Sequence, residues 1–179
     1  MKTHGESKNM NPRKKVRNIE QEKFLFMNAA NLHDVFMNAS LCYSHMNKYP
    51  VKDDAEEFII SRRGRFERLW ITFLFVLIEA WQSKSMSSTR DYIASFVSED
   101  VAEVERLIQK AEEDSSLTKI RAVRDYMCHR DRREYWDEGR IAVVGQLICN
   151  EEIFLAFRKM FLNYVESNKP REKDANRLD

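Results

Sequence analysis

The sequence contains few residues that interrupt helices, with 4 glycines and 3 prolines among 179 residues. A β fold with many tight turns needs more of both, so this scarcity favours helices. Long apolar runs are lacking as well. The longest, Leu69 to Ala80, contains Glu79 and is shorter than the ~20 residues of a membrane-spanning helix. The sequence therefore predicts an all-α protein without a membrane segment.

Cysteine is scarce too. The 3 cysteines, Cys42, Cys128 and Cys149, are odd in number and form no CxxC pair. Reduced thiols fit this count better than a disulfide framework. The adjacent pair Cys128-His129 and the distant Cys149 do not have the spacing of zinc ligands. An apolar signal core is missing from the N-terminus. We therefore expect a cytoplasmic protein that uses no metal and no cofactor.

A strong charge of one sign is also missing, since 30 basic and 29 acidic residues give a net charge of +1. Any surface that attracts nucleic acid must then be local. The stretch 99–114 carries seven carboxylates against two basic residues, a local charge of −5, and should repel a polyanion. The stretch 121–133 carries five arginines against two aspartates, a local charge of +3. It is the strongest basic patch of the predicted folded part.

Apolar residues recur at helical spacing through most of the chain, which predicts an antiparallel bundle of about five helices. We expect one domain at 19–168, a disordered basic arm at 1–18 and a disordered tail at 169–179. The predicted helices cover 19–46, 53–83, 90–112, 114 to about 129, and 151 to about 167. Their boundary signals are Tyr49-Pro50, Asp53-Asp54, a linker at 83–89, Ser98-Glu99-Asp100, one of Asp114 to Ser116, and Asn150. The segment 134–149 fits either a loop or a short extended piece.

The helix around 58–81 is apolar on nearly every face between Leu69 and Ile78. Such a helix must be covered by several neighbours or by a partner chain, so we expect a central helix and a homodimer. Glu79 either faces the rim of the bundle or pairs with an arginine of the stretch 124–133. The arginines at 62, 63, 65 and 68 are typical of a solvated face.

Within the basic stretch, Arg124-Asp125 is followed four positions later by His129. About 0.15 matches to an arginine, a polar residue and a histidine at this spacing are expected by chance. This pattern, late in a helical chain, resembles the HEPN superfamily of small helical RNA-cleaving domains. The resemblance implies a metal-independent endoribonuclease with Arg124 and His129 as catalytic residues and Asp125 as their polar support. The RNA-guiding residues would be Arg121, Arg130, Arg132 and Arg133.

Arg124 and His129 are five residues apart, about 140° around an α-helix, so they do not share a face of one continuous helix. Either the helix unwinds near Cys128, or the two residues act in one site from different chains. The family commonly builds its site from both subunits of a homodimer, in toxin and antiviral defence systems where a separate antitoxin or regulator protein takes part. Some members carry a modified tyrosine two positions after the histidine. Asp131 stands there, so that form of control is not expected.

The residue types suit RNA cleavage, because histidine transfers protons near neutral pH and arginine offers a fixed charged fork to phosphate oxygens. Two other interpretations remain. The motif is also what a non-catalytic HEPN-like module that binds nucleotides or proteins would retain. In a plain helical interaction protein, the same residues would form a salt-bridged helix end.

Overall fold

The structure, a computed structural model, describes residues 19–50, 61–118, 121 and 148–168. Of these residues 92% are helical and none lies in a strand, so the predicted all-α class is confirmed. Most of them belong to four α-helices, α1 Ile19–Met46, α2 Arg62–Gln82, α3 Ser87–Glu113 and α4 Ile148–Ser167. The predicted arm at 1–18, the predicted tail at 169–179 and the segment 122–147 lie outside the described residues. In the described part, no helix combines the length and apolar character needed to cross a membrane.

α1 forms where the sequence predicts it. Its inner face is one apolar stripe that includes the buried residues Leu25, Leu32, Ala39, Cys42 and Met46. After Met46, the amide of Tyr49 bonds back to the Met46 carbonyl at 3.1 Å, which closes the last turn before Pro50. The proline lacks an amide hydrogen and restricts the residue before it, so the helix ends here.

α2 begins later than predicted. Ser61 is its N-cap, with extended backbone (φ −66°, ψ 154°) and a hydroxyl that accepts the Gly64 amide at 3.0 Å. A serine at this position satisfies an amide that has no partner inside the helix. The helix predicted around 58–81 would reach back to residue 53 only if it were continuous, and the chain leaves helical geometry at Ser61. The predicted start at Asp53-Asp54 lies outside the described residues.

The apolar stretch of α2 is central, as predicted. Its buried residues are Trp70, Ile71, Leu74, Phe75, Leu77, Ile78 and Trp81. Leu69 and Val76 remain 43% and 39% exposed. Most of the surface from which the sequence predicts a dimer is thus covered within the chain itself.

The predicted linker at 83–89 is short. Between α2 and α3, Ser83 is the residue outside helical geometry. A 3-10 helix, Lys84–Met86, follows it and leads directly into α3. Arg90 donates hydrogen bonds to the carbonyls of Trp81 and Ser83, which closes the corner between α2 and α3.

α3 is broken at Val97, whose backbone angles (φ −140°, ψ 57°) are not helical. The second segment starts where Ser98-Glu99-Asp100 predicts a new helix start. The bend is large, because Nε of Arg90 lies 3.7 Å from a carboxylate oxygen of Glu105. In a straight helix, residues this far apart in sequence would be separated by about 22 Å.

α4 begins at Ile148, so Asn150 lies inside its first turn and the prediction of Asn150 as the N-cap is wrong. An asparagine inside a helix costs only about 0.7 kcal/mol relative to alanine, too little to stop a well-anchored helix. The buried face is as predicted and comprises Ile153, Phe154, Phe157, Phe161 and Tyr164. Val165 was expected on this face as well, but it is 42% exposed.

The helices form two antiparallel pairs. In the α1–α2 pair, His45 stacks on Phe66 with ring centroids 4.9 Å apart, and Tyr43 packs on Trp70 at 5.4 Å. In the α3–α4 pair, Lys110 lies 3.8 Å from Glu152, and Lys159 lies 2.9 Å from Asp100. In each pair, residues later in one helix meet residues earlier in the other, as antiparallel packing requires.

Aromatic rings join the two pairs into one core. Phe36 of α1 stacks on Phe154 of α4 at 5.7 Å, and Trp81 of α2 meets Phe157 edge-on at 5.4 Å. Ring pairs at these distances add about 0.5–1.5 kcal/mol each beyond the area they bury. The core is therefore shared by all four helices.

Candidate nucleic-acid interface

The chain reaches the predicted motif through a tight turn after α3. Ser115 has a positive φ of 64°, a conformation that usually favours glycine or asparagine at a helix end. The carboxylate of Asp114 accepts the amide of Ser116 at 2.8 Å, and residues 116–118 and 121 are helical. Of the three residues predicted to cap this helix, Asp114 is the one whose side chain makes this contact.

The first residues of this helix have the two sides that the sequence predicts. Leu117 is partly buried and packs against the core, whereas Arg121 is exposed. Arg121 is the one predicted RNA-binding residue that falls among the described residues. Arg124, the first residue of the predicted motif, follows three positions later in the sequence.

Arg121 lies beside Glu79 of α2, with its Nη2 3.5 Å from the carboxylate Oε1. The side chains are 62% and 39% exposed, and exposed pairs of this kind contribute about 0–1 kcal/mol. The contact therefore contributes little to stability, but it shows on which side of α2 this helix starts. Glu79 thus lies at the exposed rim of the bundle, and the arginine beside it, Arg121, precedes the stretch 124–133 with which the alternative interpretation paired it.

The remaining predicted site residues lie outside the described residues. They are the catalytic candidates Arg124, Asp125 and His129 and the RNA-binding candidates Arg130, Arg132 and Arg133.

The acidic face predicted at 99–114 lies on the second segment of α3, and several of its carboxylates are held in ion pairs. Arg106 donates two hydrogen bonds of 2.7 Å to Glu103, which lowers the pKa of that carboxyl. Burial alone would raise the pKa of Asp100, but hydrogen bonds from Asn163 and Lys159 outweigh it and lower the pKa. These groups stay ionised at neutral pH, so the face is negative and unsuited to RNA.

The arginines at the start of α2 do not all form a solvated face. Arg62 and Arg65 are exposed, as that interpretation requires. Arg63 instead donates to the carbonyls of Met46 and Tyr49 at 3.4 and 2.9 Å. It caps the end of α1, where carbonyls lack partners within the helix. The prediction of a solvated side chain is wrong for this residue.

The two histidines of α1 are packed, in agreement with their sequence context. His33 meets Phe161 edge-on at 5.4 Å, and His45 stacks on Phe66. Among the side chains that the structure describes, no group of three or more His, Cys, Asp or Glu could hold a metal ion.

A carboxylate that interrupts an apolar helix needs a partner, but nothing in the sequence identifies Arg121 as the partner of Glu79. The outer face of α1 also carries large apolar residues, which the prediction of one apolar stripe on this helix does not include.

No protein-family model matches this chain, and no match was found among curated proteins or solved structures.

Proposed function

We propose that this protein is a metal-independent endoribonuclease of the toxin or defence type, acting in the cytoplasm as a homodimer. The observation that carries the proposal is the Arg124-Asp125-x-x-x-His129 motif in a stretch of charge +3. The described structure supports it in two ways. The described part of the fold is all-α, and Arg121, three positions before the motif, is an exposed arginine in a helical conformation.

The proposed reaction needs one histidine and one arginine. A base removes the proton of the 2′-OH, the 2′-oxygen attacks phosphorus, and the bond to the 5′-oxygen breaks. The products are a 2′,3′-cyclic phosphate and a 5′-OH, whose proton comes from an acid. His129 serves the proton transfers, since it titrates near neutral pH. Arg124 stabilises the charge on the phosphorane. Asp125 orients the side chain of either His129 or Arg124.

Electrostatics favour one direction of approach for RNA. The second segment of α3 repels phosphate, whereas Arg121 and the predicted contacts Arg130, Arg132 and Arg133 attract it. Arg121 is held by Glu79 in a weak, exposed pair, so a phosphate oxygen can replace that carboxylate at small cost. Arg121→Ala should therefore weaken RNA binding several-fold and reduce the slope of affinity against salt by about 1.

The decisive experiment is cleavage of single-stranded RNA by the purified full chain in EDTA. We expect a product that ends in a 2′,3′-cyclic phosphate and no cleavage where the site carries deoxyribose. His129→Ala and Arg124→Ala should abolish cleavage. Arg124→Lys should also be poor, because a point charge does not replace the planar fork. Arg65→Ala, an exposed arginine of α2, is the matched control and should retain full activity.

Three outcomes would change the proposal. Cleavage that is lost in EDTA and returns with Mg²⁺ would refute the mechanism. Full activity of His129→Ala would refute the site. RNA or nucleotide binding without cleavage would assign the alternative, a non-catalytic HEPN-like binding module.

The site is proposed to be shared between two chains, because Arg124 and His129 lie about 140° apart on a continuous helix. Mixed dimers of Arg124→Ala and His129→Ala chains can then assemble one intact site. We expect recovery of up to about a quarter of the wild-type activity if chains exchange at random. No recovery after demonstrated exchange would place both residues of each site in one chain.

A further inference from the structure

α1 has a second apolar face on the side away from the core. Four large residues are at least half exposed there: Ile19 at 69%, Phe26 at 50%, Met37 at 51% and Leu41 at 58%. Ala30, between them, is half-buried. Scattered exposed apolar residues are common on proteins, but a continuous row of them usually marks an interface.

The outer row runs straight along the helix. Ile19, Ala30 and Leu41 are eleven residues apart, and so are Phe26 and Met37. Eleven residues are close to three turns of a straight α-helix, about 10.8 residues. The row therefore does not spiral around α1 but forms a seam about 33 Å long at 1.5 Å per residue.

Four residues of the row, Phe26, Ala30, Met37 and Leu41, are separated by four, seven and four residues, symmetrically about the point between His33 and Asp34. In a two-fold interface residue i contacts residue j and residue j contacts residue i, so an axis at that point pairs these four with one another. Ile19 lies outside this set and falls opposite Lys48. Two antiparallel copies of α1 place Phe26 opposite Leu41 of the second copy. They also place the small Ala30 opposite the large Met37.

The charges at the two ends of α1 are complementary in the same arrangement. Among the described residues, the start of α1 carries Glu20, Glu22 and Lys23, a net charge of −1. His45 lies in the last turn, and the exposed Lys48 follows it. Arg63 ties the start of α2 to this basic end. Antiparallel copies bring each acidic end beside the basic end of the other copy. Parallel copies would instead place like charges together, which disfavours the parallel orientation.

The outer row offers a large part of the area that a stable dimer needs. A large side chain that is half exposed offers about 100 Å², half of what an aromatic residue can bury. The four large residues of the row thus supply about half of the ~800 Å² per partner that stable interfaces bury. Ala30 and the polar residues that flank the row on α1 contribute further area.

We propose that the outer face of α1 is a two-fold interface occupied by the antiparallel α1 of a second copy of this chain. The proposal rests on the homodimer of the proposed function and assigns the surface that forms it. That surface is α1, in place of the apolar stretch of α2, most of which is buried within its own chain.

Sedimentation equilibrium of the full chain tests the surface. The wild-type protein should be a dimer at micromolar concentration, and Met37→Glu and Leu41→Glu should each raise the dimer dissociation constant roughly 100-fold or more. Val76→Glu on α2, at a site that is also partly exposed, is the matched control and should leave the constant unchanged. Circular dichroism should show the same helix content in all four proteins.

Cysteine cross-linking tests the direction. In a chain with both Ala30→Cys and Met37→Cys, the two thiols are about 10 Å apart along one helix, too far for a disulfide within the chain. Oxidation should then link two chains, whereas Ala30→Cys alone, and the parent with its native cysteines, should link far less. Cross-linking by Ala30→Cys alone at the level of the double variant would overturn the antiparallel arrangement.

The outcomes separate this inference from the proposed function. A wild-type monomer overturns both the interface and the shared active site. A dimer that persists in Met37→Glu and Leu41→Glu overturns the interface and leaves the homodimer intact. Lack of RNase activity in a protein that dimerises through α1 overturns the proposed function alone.

Discussion

The two helix pairs each contain a carboxylate that is shielded from water, and the pKa values of these two groups shift in opposite directions. Glu67 in the α1–α2 pair is partly buried, and Asp100 in the α3–α4 pair is buried. Burial raises the pKa of Glu67, and the charges of Arg63 and Arg68 offset this only in part. Burial would also raise the pKa of Asp100, but direct hydrogen bonds from Asn163 and Lys159 lower it. Arg63 donates to the carbonyls of Met46 and Tyr49, so its guanidinium is committed elsewhere. A nearby cation therefore stabilises a buried carboxylate far less than a donor in contact with it.

The largest effect is expected from removing the well-bonded carboxylate. Asp100→Ala leaves the side chains of Asn163 and Lys159 without their acceptor, and it should destabilise the fold by about 1–3 kcal/mol at pH 7. Urea unfolding measures the loss. Glu103→Ala removes a carboxylate from an exposed pair on the same helix and serves as the control, with a much smaller expected change. Equal losses in both variants would contradict the role of Asp100.

The stabilisation by Asp100 should also depend on pH in a defined direction. Its folded pKa lies below the unfolded value of about 3.9, so the stabilisation is fully present above that value. It is lost as the pH falls through the folded pKa. The difference in unfolding free energy between wild type and Asp100→Ala should therefore shrink from pH 6 to pH 3. A constant difference over that range would rule out a charged Asp100 as the cause.

A smaller effect is expected at the corner of the other pair. Arg63→Ala removes two hydrogen bonds to the end of α1, each worth about 0.5–1.5 kcal/mol, and should destabilise the fold by about 1–2 kcal/mol. It also removes a charge that restrains the pKa of Glu67. The neighbouring exposed Arg62→Ala is the control. If both variants unfold at the same urea concentration, Arg63 does not cap α1.

The smallest effect has the opposite sign. Glu67 has a folded pKa above its unfolded value of about 4.3, so its ionised form opposes folding once the pH rises through the folded pKa. Glu67→Gln should therefore raise the midpoint of thermal unfolding by about 1–3 °C at pH 7 and leave it unchanged below pH 4. Glu166→Gln, at an exposed site on α4, should have no effect at either pH. A lower midpoint for Glu67→Gln at pH 7 would show that the charge is stabilised.

Much of the fold could be predicted from the sequence because its strongest signals are periodic. The buried faces of α1 and α4 follow from apolar spacing, and the break in α3 follows from Ser98-Glu99-Asp100. Starts of helices were less predictable. The sequence favours Asp53-Asp54 over Ser61 as a helix start, but α2 begins after Ser61. It also favours Asn150 as an N-cap, although the capping preference of asparagine stabilises a helix less than one packed turn does. Cap preferences amount to about 1 kcal/mol, so tertiary contacts easily override them.

The candidate site was predictable in its residue types and its local charge, but not in its surroundings. The contact between Arg121 and Glu79 joins residues 42 positions apart, and no periodicity reports such a pairing. Nor could the function of Arg63 be read from a run of four arginines, because it depends on where α1 ends in space. The outer row of α1 was visible in the sequence, but recognising it as exposed required the packing of α2 and α4.

The packing of α1 against α4 sets the order in which the protein can be completed during synthesis. The hydroxyl of Tyr43 bonds to the carboxylate of Glu151, 108 residues later in the chain, and Phe36 and Trp70 pack on Phe154. At translation rates of 5–20 residues per second, the nascent α1–α2 pair waits on the order of ten seconds for this partner. A chain truncated before Ile148 would expose these rings permanently. Such products should be bound by chaperones and degraded, because the rings of α1 and α2 are covered only once α4 is present.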